Sequence, residues 1–441
     1  MTLKAPKIHS ANIPALLPAR RWMLGNGLPV VAITGVEVPV LRVEMIWDAG
    51  RPFEPQKLLA GFTDDLMTEG AAGRSAADLE AFFEQFGTGL QQPNLMDTAN
   101  LSLSTIHRHA PEVLPVMADV IARPDFSDAS FAREIKRRKQ RLRENLADND
   151  TLAYRMITEA VFGAESPYGY NSRAADYDAL TPEAVRAYHR SHRHAGNGTL
   201  FVIGQLNAEI ENLLEATFGQ LPSGPKATPL TTENAPQEPG IFQFIKPRAQ
   251  QTMIRIGRAG LDIKDPDYPA LVVLDTVLGG YFGSRLMRNI REEKGYTYGI
   301  ESDLETFRFG GSFGVSADVA NENLAAVRTE INVEIDKLRQ EAMPQAELDM
   351  VRAYLLGSIA MELDGRFGHG WRHRSALIKD YEPEGFLRRL DAAVREITPQ
   401  QLLDLAQRHL RPEANQEVIV GGAGAVEGAK IIRRPEEELR P

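Results

Sequence analysis

The chain contains one pattern of residues twice, and this repeat limits the available folds more than any other feature. Thr181 opens a helix-like segment that leads through His192 to an apolar strand, which ends at Gly204. The same order recurs 217 residues later, at Thr398, His409 and Gly421. Periods of about 20–50 residues are typical of solenoids, so a period near 210 instead predicts a duplicated domain.

An earlier stretch of the chain is also duplicated. Four small residues, Ala49, Gly50, Ala60 and Gly70, recur 210 positions later as Ala259, Gly260, Ala270 and Gly280. The seven-residue difference between the two periods needs only loop insertions. Residues 221–240 separate the copies and are rich in proline, which favours an extended linker. The sequence therefore predicts an N-terminal domain over residues 1–220 and a C-terminal domain over residues 241–441.

Each half combines predicted strands with predicted helices. In the first half, hydrophobic patterning predicts strands over 28–33, 43–47 and 100–105, and helices from Ser75 and over 110–122, 131–146 and 181–192. The strand 43–47 alternates, which predicts burial of one face only. In the second half it predicts strands over 252–257 and 311–317, and helices over 269–278, 284–294 and 322–340. The fold class is therefore α+β, with two homologous domains of a sheet plus flanking helices.

Composition excludes several classes of function. The net charge of −10 disfavours a general nucleic-acid binder, whose affinity comes mainly from phosphate neutralisation. One basic stretch, from Arg133 to Arg143, runs against this trend and is interpreted as a solvated helix face. The chain has no cysteine, which excludes disulfides and thiolate metal ligands. No apolar run approaches the roughly 20 residues of a membrane span.

The segment after Gly283 could present two hydrogen-bond donors to one oxygen. Ser284 can cap a helix that Gly295 ends, Arg291 falls in its last turn, and Tyr298 follows, entering a strand. Donors placed in this way can hold a peptide carbonyl or stabilise an oxyanion. An arginine near a helix C-terminus also complements the helix dipole without any further function.

This segment closely resembles the signature of the second domain in the pitrilysin / mitochondrial-processing-peptidase family, the inverzincins. The similarity lies in the glycines 279 and 280, in residues 284–286 and in the run 290–298. In that family an Arg and a Tyr seven residues apart bind substrate across from the metal, and Arg291 and Tyr298 have this spacing. The resemblance extends over nearly the whole chain and implies that these two residues bind substrate.

Active members of the family carry H-x-x-E-H on a helix, where two His bind zinc and the Glu activates water. Here Gly61 and Asp65 occupy the two histidine positions, and Asp64 occupies the position of the catalytic Glu. The third ligand belongs seven residues after a helical Glu, which Glu134 matches, but that position is Arg141. The sequence thus predicts no zinc site, and Asp64 and Asp65 are interpreted as solvent-facing or capping residues.

Two groups of histidines are the remaining metal candidates. The spacing of His189, His192 and His194 could bring three imidazoles together, but the matching His409 has no companion histidines, so a structural role is favoured. His107 and His109 would point the same way from an extended strand and are interpreted as surface residues.

The resemblance implies a bacterial, non-catalytic, substrate-binding subunit of a heterodimeric zinc-dependent peptidase acting on peptides or unfolded segments. Zinc and the catalytic Glu would come from a homologous partner chain with an intact H-x-x-E-H motif, and this chain would need no cofactor of its own. One alternative is a scaffold or peptide-binding protein of the same fold. Another is a self-sufficient hydrolase that uses Asp64, Asp65 or the histidines 189–194. Residues 1–7 lack the apolar core of a signal peptide, so the compartment is the periplasm if a signal was removed and otherwise the cytoplasm.

Overall fold

A computed structural model describes residues 11–93, 95–230 and 233–433 of the chain. The segment 1–7, considered above as a signal peptide, lies outside the described residues. In the described part, no helix is both long and apolar enough to cross a membrane.

The strands and helices of the two halves follow each other in similar order. The strands are β1 (Arg20–Met23), β2 (Pro29–Ile33), β3 (Val40–Trp47), β4 (Gly70–Ala71), β5 (Arg74–Ser75), β6 (Ala99–Ile106), β7 (Gly198–Gly204), β8 (Gly240–Ile245), β9 (Gln251–Gly260), β10 (Thr297–Phe307), β11 (Gly310–Ala320), β12 (Gln416–Gly421) and β13 (Ala429–Ile431). The α-helices are α1 (Leu59–Met67), α2 (Ala76–Glu84), α3 (Ala110–Ala122), α4 (Asp128–Ala147), α5 (Asn149–Phe162), α6 (Ala174–Asp178), α7 (Pro182–His192), α8 (Ala208–Thr217), α9 (Tyr268–Leu278), α10 (Leu324–Gln340), α11 (Gln345–Glu362), α12 (Gly365–Lys379), α13 (Pro383–Glu396) and α14 (Pro399–His409).

The two large sheets share the arrangement of their central strands. The first has the order β1-β2-β7-β3-β6, and the second has the order β10-β11-β9-β12-β8-β13. In the first, β7 lies between the parallel β2 and the antiparallel β3, and in the second β12 lies between the parallel β8 and the antiparallel β9. Both central strands follow an 11-residue helix, α7 or α14, capped by the hydroxyl of Thr181 or Thr398. The α+β fold with an internal duplication is therefore confirmed.

Each half contributes one helix that packs against the sheet of the other half. Helix α5 packs its apolar side against β9 and β12, where Ile157 and Val161 join a buried cluster with Val418 and Val420. In the same way α12 packs against β2 and β7 of the first sheet. A Cβ at Gly370 of α12 would lie only 2.4 Å from Ile203, so glycine permits this close approach. This exchange of helices could not be inferred from the repeat.

Two sequence-based expectations about local structure are wrong. Strand β3 is buried on both faces rather than one, because α12 covers the face that the alternation predicted to be exposed. The polar residue Glu44 on that strand is consequently fully buried. His107 and His109 lie in a 3-10 turn and not in an extended strand, so the alternation argument does not apply to them.

The proline-rich segment after Leu221 contains no helix or strand in the residues described there, 221–230 and 233–239. Backbone bonds hold it against the first half: Leu230 donates to Pro52, Ala235 to Phe162 and Gln237 to Ala160. The segment therefore passes along the outside of α5 before β8 begins. The domain boundaries at 220 and 241 stay a prediction.

Candidate functional site

Helix α1 holds the positions where the resemblance expects a metal-binding motif. Leu58, in the left-handed conformation with φ 72°, precedes it, and the carboxylate of Glu54 accepts hydrogen bonds from the backbone of Leu58 and Ala60. Glu54 thus caps the helix from a loop, and burial raises its pKa. This cap fixes the direction in which Gly61, Asp64 and Asp65 are presented.

Asp64 forms an ion pair with a buried arginine. The Nη2 and Nε atoms of Arg193 donate to its Oδ1 at 2.6 and 3.1 Å, and the Arg193 side chain has no solvent exposure. Burial raises the pKa of Asp64, and the neighbouring guanidinium of Arg193 opposes that shift. The interpretation of Asp64 as a solvent-facing or capping residue is therefore wrong, because its partner lies behind the helix in the protein interior.

Asp65 pairs with a second arginine, on helix α4. Arg138 bonds Asp65, and its Nε also donates to Glu134 at 3.0 Å. Glu134 is buried and receives a further bond of 2.6 Å from Arg137. The basic stretch is therefore not simply a solvated face: several of its residues pair with carboxylates of the first domain, and Arg138 forms one wall of the site. Arg138 and Lys139 are half-buried, and the other basic residues of the stretch, including Arg141, are exposed.

The residues present do not fit a zinc ion. Gly61 has no side chain, Arg141 is a cation, and the two aspartates already bind guanidinium groups. Nowhere in residues 11–93, 95–230 and 233–433 do three His, Cys, Asp or Glu side chains lie close enough to hold a metal. Two arginines supply positive charge at the place where the resemblance expects a metal cation.

The three histidines of the segment 189–194 each bind a separate backbone carbonyl. Nε2 of His189 lies 2.9 Å from the oxygen of Ile121, Nδ1 of His192 lies 3.2 Å from that of Tyr188, and His194 contacts Ser191 at 3.1 Å. Burial, aided by Arg193, lowers the pKa of both His189 and His192 to about 4. They are therefore neutral side chains that tie α7 to its surroundings. His109 packs its ring on Phe86.

Arg291 lies in a helical segment that is wound more widely than an α-helix. The residues Met287–Glu293 form a π-helix, in which Lys294 donates to Asn289 five residues earlier. The predicted helix over 284–294 thus exists, but its winding was not foreseen, and such segments are often found at functional sites. Gly295 ends it with φ 66°, and Tyr298 follows at the start of β10.

The two residues that the resemblance singled out line one cleft. Arg291 and Tyr298 border a cavity of about 650 Å³, together with the polar side chains of Gln251, Asp318 and Asn323. Tyr298 is 90 % exposed. The guanidinium of Arg291 lies 4.7 Å from the ring centre of Phe282, which is 62 % exposed. An aromatic ring at this distance attracts the cation and restricts its movement.

A polar network on the opposite side holds the π-helix in place. Asn289 is buried and donates to Glu334 at 2.7 Å and to Glu330 at 3.0 Å, both on α10. Lys294 pairs with the same Glu330. The sequence analysis missed these residues, as it missed Arg193 and Phe282. Only the four-residue spacing of Glu134 and Arg138 gave a local signal of pairing.

The fold and the two sites together define a duplicated α+β protein whose residues at the expected metal position do not fit zinc. Comparisons with known proteins agree: residues 179–355 match the family described as "Peptidase M16 inactive domain". This match and the relatives below support assignment of the chain to the M16, or pitrilysin, family, as a member without the zinc-binding motif.

Individual relatives and solved structures are similar over most of the chain. An uncharacterized zinc protease of Rickettsia felis is 24 % identical over 336 residues, covering 75 % of this chain and 80 % of the relative. The structure of a peptidase M16 inactive domain from Pseudomonas fluorescens has a TM-score of 0.84 at 23 % identity and covers 94 % of this chain and 100 % of the other. A protease structure from Helicobacter pylori has a TM-score of 0.81 at 18 % identity and covers 92 % and 100 %.

Proposed function

We propose that this chain is the non-catalytic, substrate-binding subunit of a heterodimeric zinc-dependent peptidase. Its partner would be a homologous chain with an intact H-x-x-E-H motif, and its substrates would be peptides or unfolded segments. The observation that carries the proposal is a contrast between two sites. Arg291 and Tyr298 border an open cleft, whereas Asp64 and Asp65 are both occupied by arginines.

In this proposal the chemistry of bond cleavage comes from the partner, and this chain supplies hydrogen-bond donors. The guanidinium of Arg291 and the hydroxyl of Tyr298 would donate to the carbonyl oxygen of the scissile bond, and more strongly to the oxyanion that forms from it. Hydrogen bonds from donors already held in position strengthen most as negative charge develops on the oxygen. The loss of one such donor lowers turnover by a factor of roughly 10²–10³. The Phe282 ring and the bonds of Asn289 favour such a fixed position.

The cleft supports binding of extended peptide backbone as well. Gln251, Asp318 and Asn323 offer amide and carboxylate groups beside Arg291. Side chains of this kind can pair with the N–H and C=O groups of a peptide whatever its sequence. An open cleft of about 650 Å³ is also too small for a folded protein but suits an extended segment.

The test is reconstitution with a homologous H-x-x-E-H subunit and a quenched fluorescent peptide. The mixture should cleave the peptide faster than the partner alone, and Arg291→Ala and Tyr298→Phe should each slow it by at least tenfold. Arg288→Ala is the matched control for the arginine, because Arg288 lies in the same π-helix but pairs with Glu347. Tyr354→Phe is the control for the tyrosine, since Tyr354 is also exposed.

A mixture no faster than the partner alone would overturn the proposal. If Arg291→Ala behaves like Arg288→Ala while both chains still associate, the chain is instead a scaffold without a role in proteolysis. Cleavage by this chain alone, sensitive to chelators, would support the self-sufficient hydrolase.

A further inference from the structure

A cavity opens beside α1 at the position that the resemblance assigns to the metal. Its volume is about 130 Å³, well above the ~10–15 Å³ that one water molecule needs. Gly61 lies at its edge, and a Cβ added there would have nothing within 4 Å. The site that can no longer hold zinc has therefore not been filled by side chains.

The charges that line this cavity favour an anion. Two cations, Arg51 and Arg138, and one carboxylate, Asp64, line it. The charge of Asp64 is offset from behind by the buried Arg193. Arg138 is bound by Asp65 and Glu134, so it contributes less than a free cation would.

Arg51 is the cation with unused donors. Its Nη1 donates to the carbonyl oxygens of Pro167 and Tyr170, both at 3.2 Å, and its guanidinium lies 4.3 Å from the ring centre of Tyr170. Its Nε and Nη2 make no hydrogen bond within the described residues, and no described carboxylate lies within salt-bridge distance of it. The carboxylate of the nearby Glu54 already accepts hydrogen bonds from the Tyr170 hydroxyl and from the backbone at the N-terminus of α1. A rigidly held guanidinium with free donors is suited to a carboxylate.

The hydroxyl of a tyrosine also lines the cavity. Tyr177, on α6, is only 6 % exposed, yet its hydroxyl forms no hydrogen bond to any residue that the structure describes. The group is close enough to the guanidiniums of Arg138 and Arg155 to interact with both electrostatically. This hydroxyl is therefore free to donate a hydrogen bond to an anion in the cavity.

We propose that this cavity binds a small carboxylate, with Arg51 as the ionic partner and the Tyr177 hydroxyl as a second donor. The carboxylate belongs either to a free acid or to the C-terminus of a peptide, because both present the same group to the cavity. Gly61 leaves the space in which the carboxylate and its first carbon lie. The inference concerns the isolated chain and does not require the partner subunit of the proposed function.

The probes are acetate, N-acetyl-alanyl-alanine and the C-terminal amide of the same dipeptide, titrated into the full-length protein by calorimetry and NMR. The free dipeptide should bind at least tenfold more tightly than its amide, because the amide lacks the charge that Arg51 pairs with. Equal binding of acetate and the free dipeptide identifies a site for free acids. Tighter binding of the dipeptide identifies a site for peptide C-termini.

Three variants test the assigned residues. Gly61→Leu should fill the cavity and abolish binding, and Gly357→Leu is its matched control, since Gly357 is also helical and also has open space beside it. Tyr177→Phe should weaken binding at least threefold without loss of stability. Tyr381→Phe is the control, because its hydroxyl also makes no hydrogen bond to a described residue but does not line this cavity. Arg51→Gln should remove the preference for acid over amide.

The inference is overturned if no probe binds at millimolar concentration, or if the amide binds as well as the acid. It is also overturned if the Gly61→Leu and Tyr177→Phe proteins bind the free dipeptide like the wild type. These outcomes do not test the role of the cleft that Arg291 and Tyr298 border, so each proposal can fail without the other.

Discussion

Glu44 and Arg374 are 330 residues apart in the chain and form a buried ion pair with two hydrogen bonds. The Nε and Nη2 atoms of Arg374, on α12, each donate to a carboxylate oxygen of Glu44 at 2.7 Å. Glu44 lies on β3, is fully buried, and accepts a third bond of 2.7 Å from Asn100. The pair thus fastens the exchanged helix of the second half to the sheet of the first.

Removal of Arg374 should destabilise the protein strongly. Arg374→Met would leave the Glu44 carboxylate buried with only Asn100 and the more distant Arg42, a situation that typically costs about 3–5 kcal/mol. Urea unfolding measures the loss. Arg372→Met is the control: Arg372 is on the same helix but pairs with the exposed Glu362, so its loss should cost under about 1 kcal/mol.

The double variant Glu44→Gln, Arg374→Met should recover part of this loss, because it removes the unpaired charge. Equal stability of Arg374→Met and Arg372→Met would show that the pair contributes little.

Local sequence patterns predicted the individual helices and strands well. Contacts between distant parts of the chain were not predictable. Helix α3 has the expected bounds, and the helix expected from Ser75 begins there with a capping box to Asp78, because both depend on residues a few positions apart. The burial of Glu44 depends on a helix more than 300 residues away, so the alternation of β3 gave the wrong exposure for one face.

In the candidate site, too, the local relationship between residues was predictable and the long-range one was not. The spacing of Arg291 and Tyr298 was visible in the sequence, and the structure brings both to one cleft. The pairing of Asp64 with Arg193 was not visible, because no spacing rule connects residues 129 positions apart. Nothing in the sequence indicated that the buried Arg193 and the half-buried Arg138 would pair with the two aspartates.

A carboxyl at the end of α9 should make stability depend on pH. Burial, and to a lesser degree Asp303 and Glu301, raises the pKa of Asp275 from 3.8 to about 7, while a hydrogen bond from Ser302 at 2.6 Å limits the shift. The folded protein therefore keeps a proton that the unfolded chain loses between about pH 4 and 7. Its contribution to stability is full below pH 4 and is lost as the pH rises to about 7.

The variant Asp275→Asn removes this titration. Its stability should match that of the wild type near pH 4 and exceed it by about 4 kcal/mol at pH 8, since the pKa rises by about three units and each unit corresponds to about 1.4 kcal/mol. Guanidinium unfolding at several pH values measures the difference. Asp349→Asn, at an exposed carboxylate, is the control for the substitution itself. A constant difference for Asp275→Asn would contradict the prediction.

The aromatic ring beside Arg291 should affect cleavage by the reconstituted peptidase. Phe282→Leu keeps an apolar side chain but removes the ring over which the guanidinium lies, an interaction worth about 0.5–2 kcal/mol. We expect kcat/KM of the mixture to fall about three- to thirtyfold, while Phe282→Tyr should retain most of it. Steady-state kinetics with the quenched peptide would distinguish them. If the leucine and tyrosine variants are equally active, the ring does not position Arg291.

The exchange of helices between the halves predicts that neither half folds alone. Fragment 1–239 would carry α5 with its apolar side uncovered, because Ile157 and Val161 pack on strands of the second half. Fragment 240–441 would likewise expose the apolar residues of α12 and leave Arg374 without Glu44. Exposed apolar surface of this kind is a driving force for aggregation.

Each fragment expressed alone should therefore aggregate or unfold without cooperativity. Co-expression should give a soluble complex that unfolds in one transition, as should the intact protein after cleavage at a protease site inserted near residue 226. A cooperative unfolding transition in isolated fragment 240–441 would show that the second sheet is stable without α5.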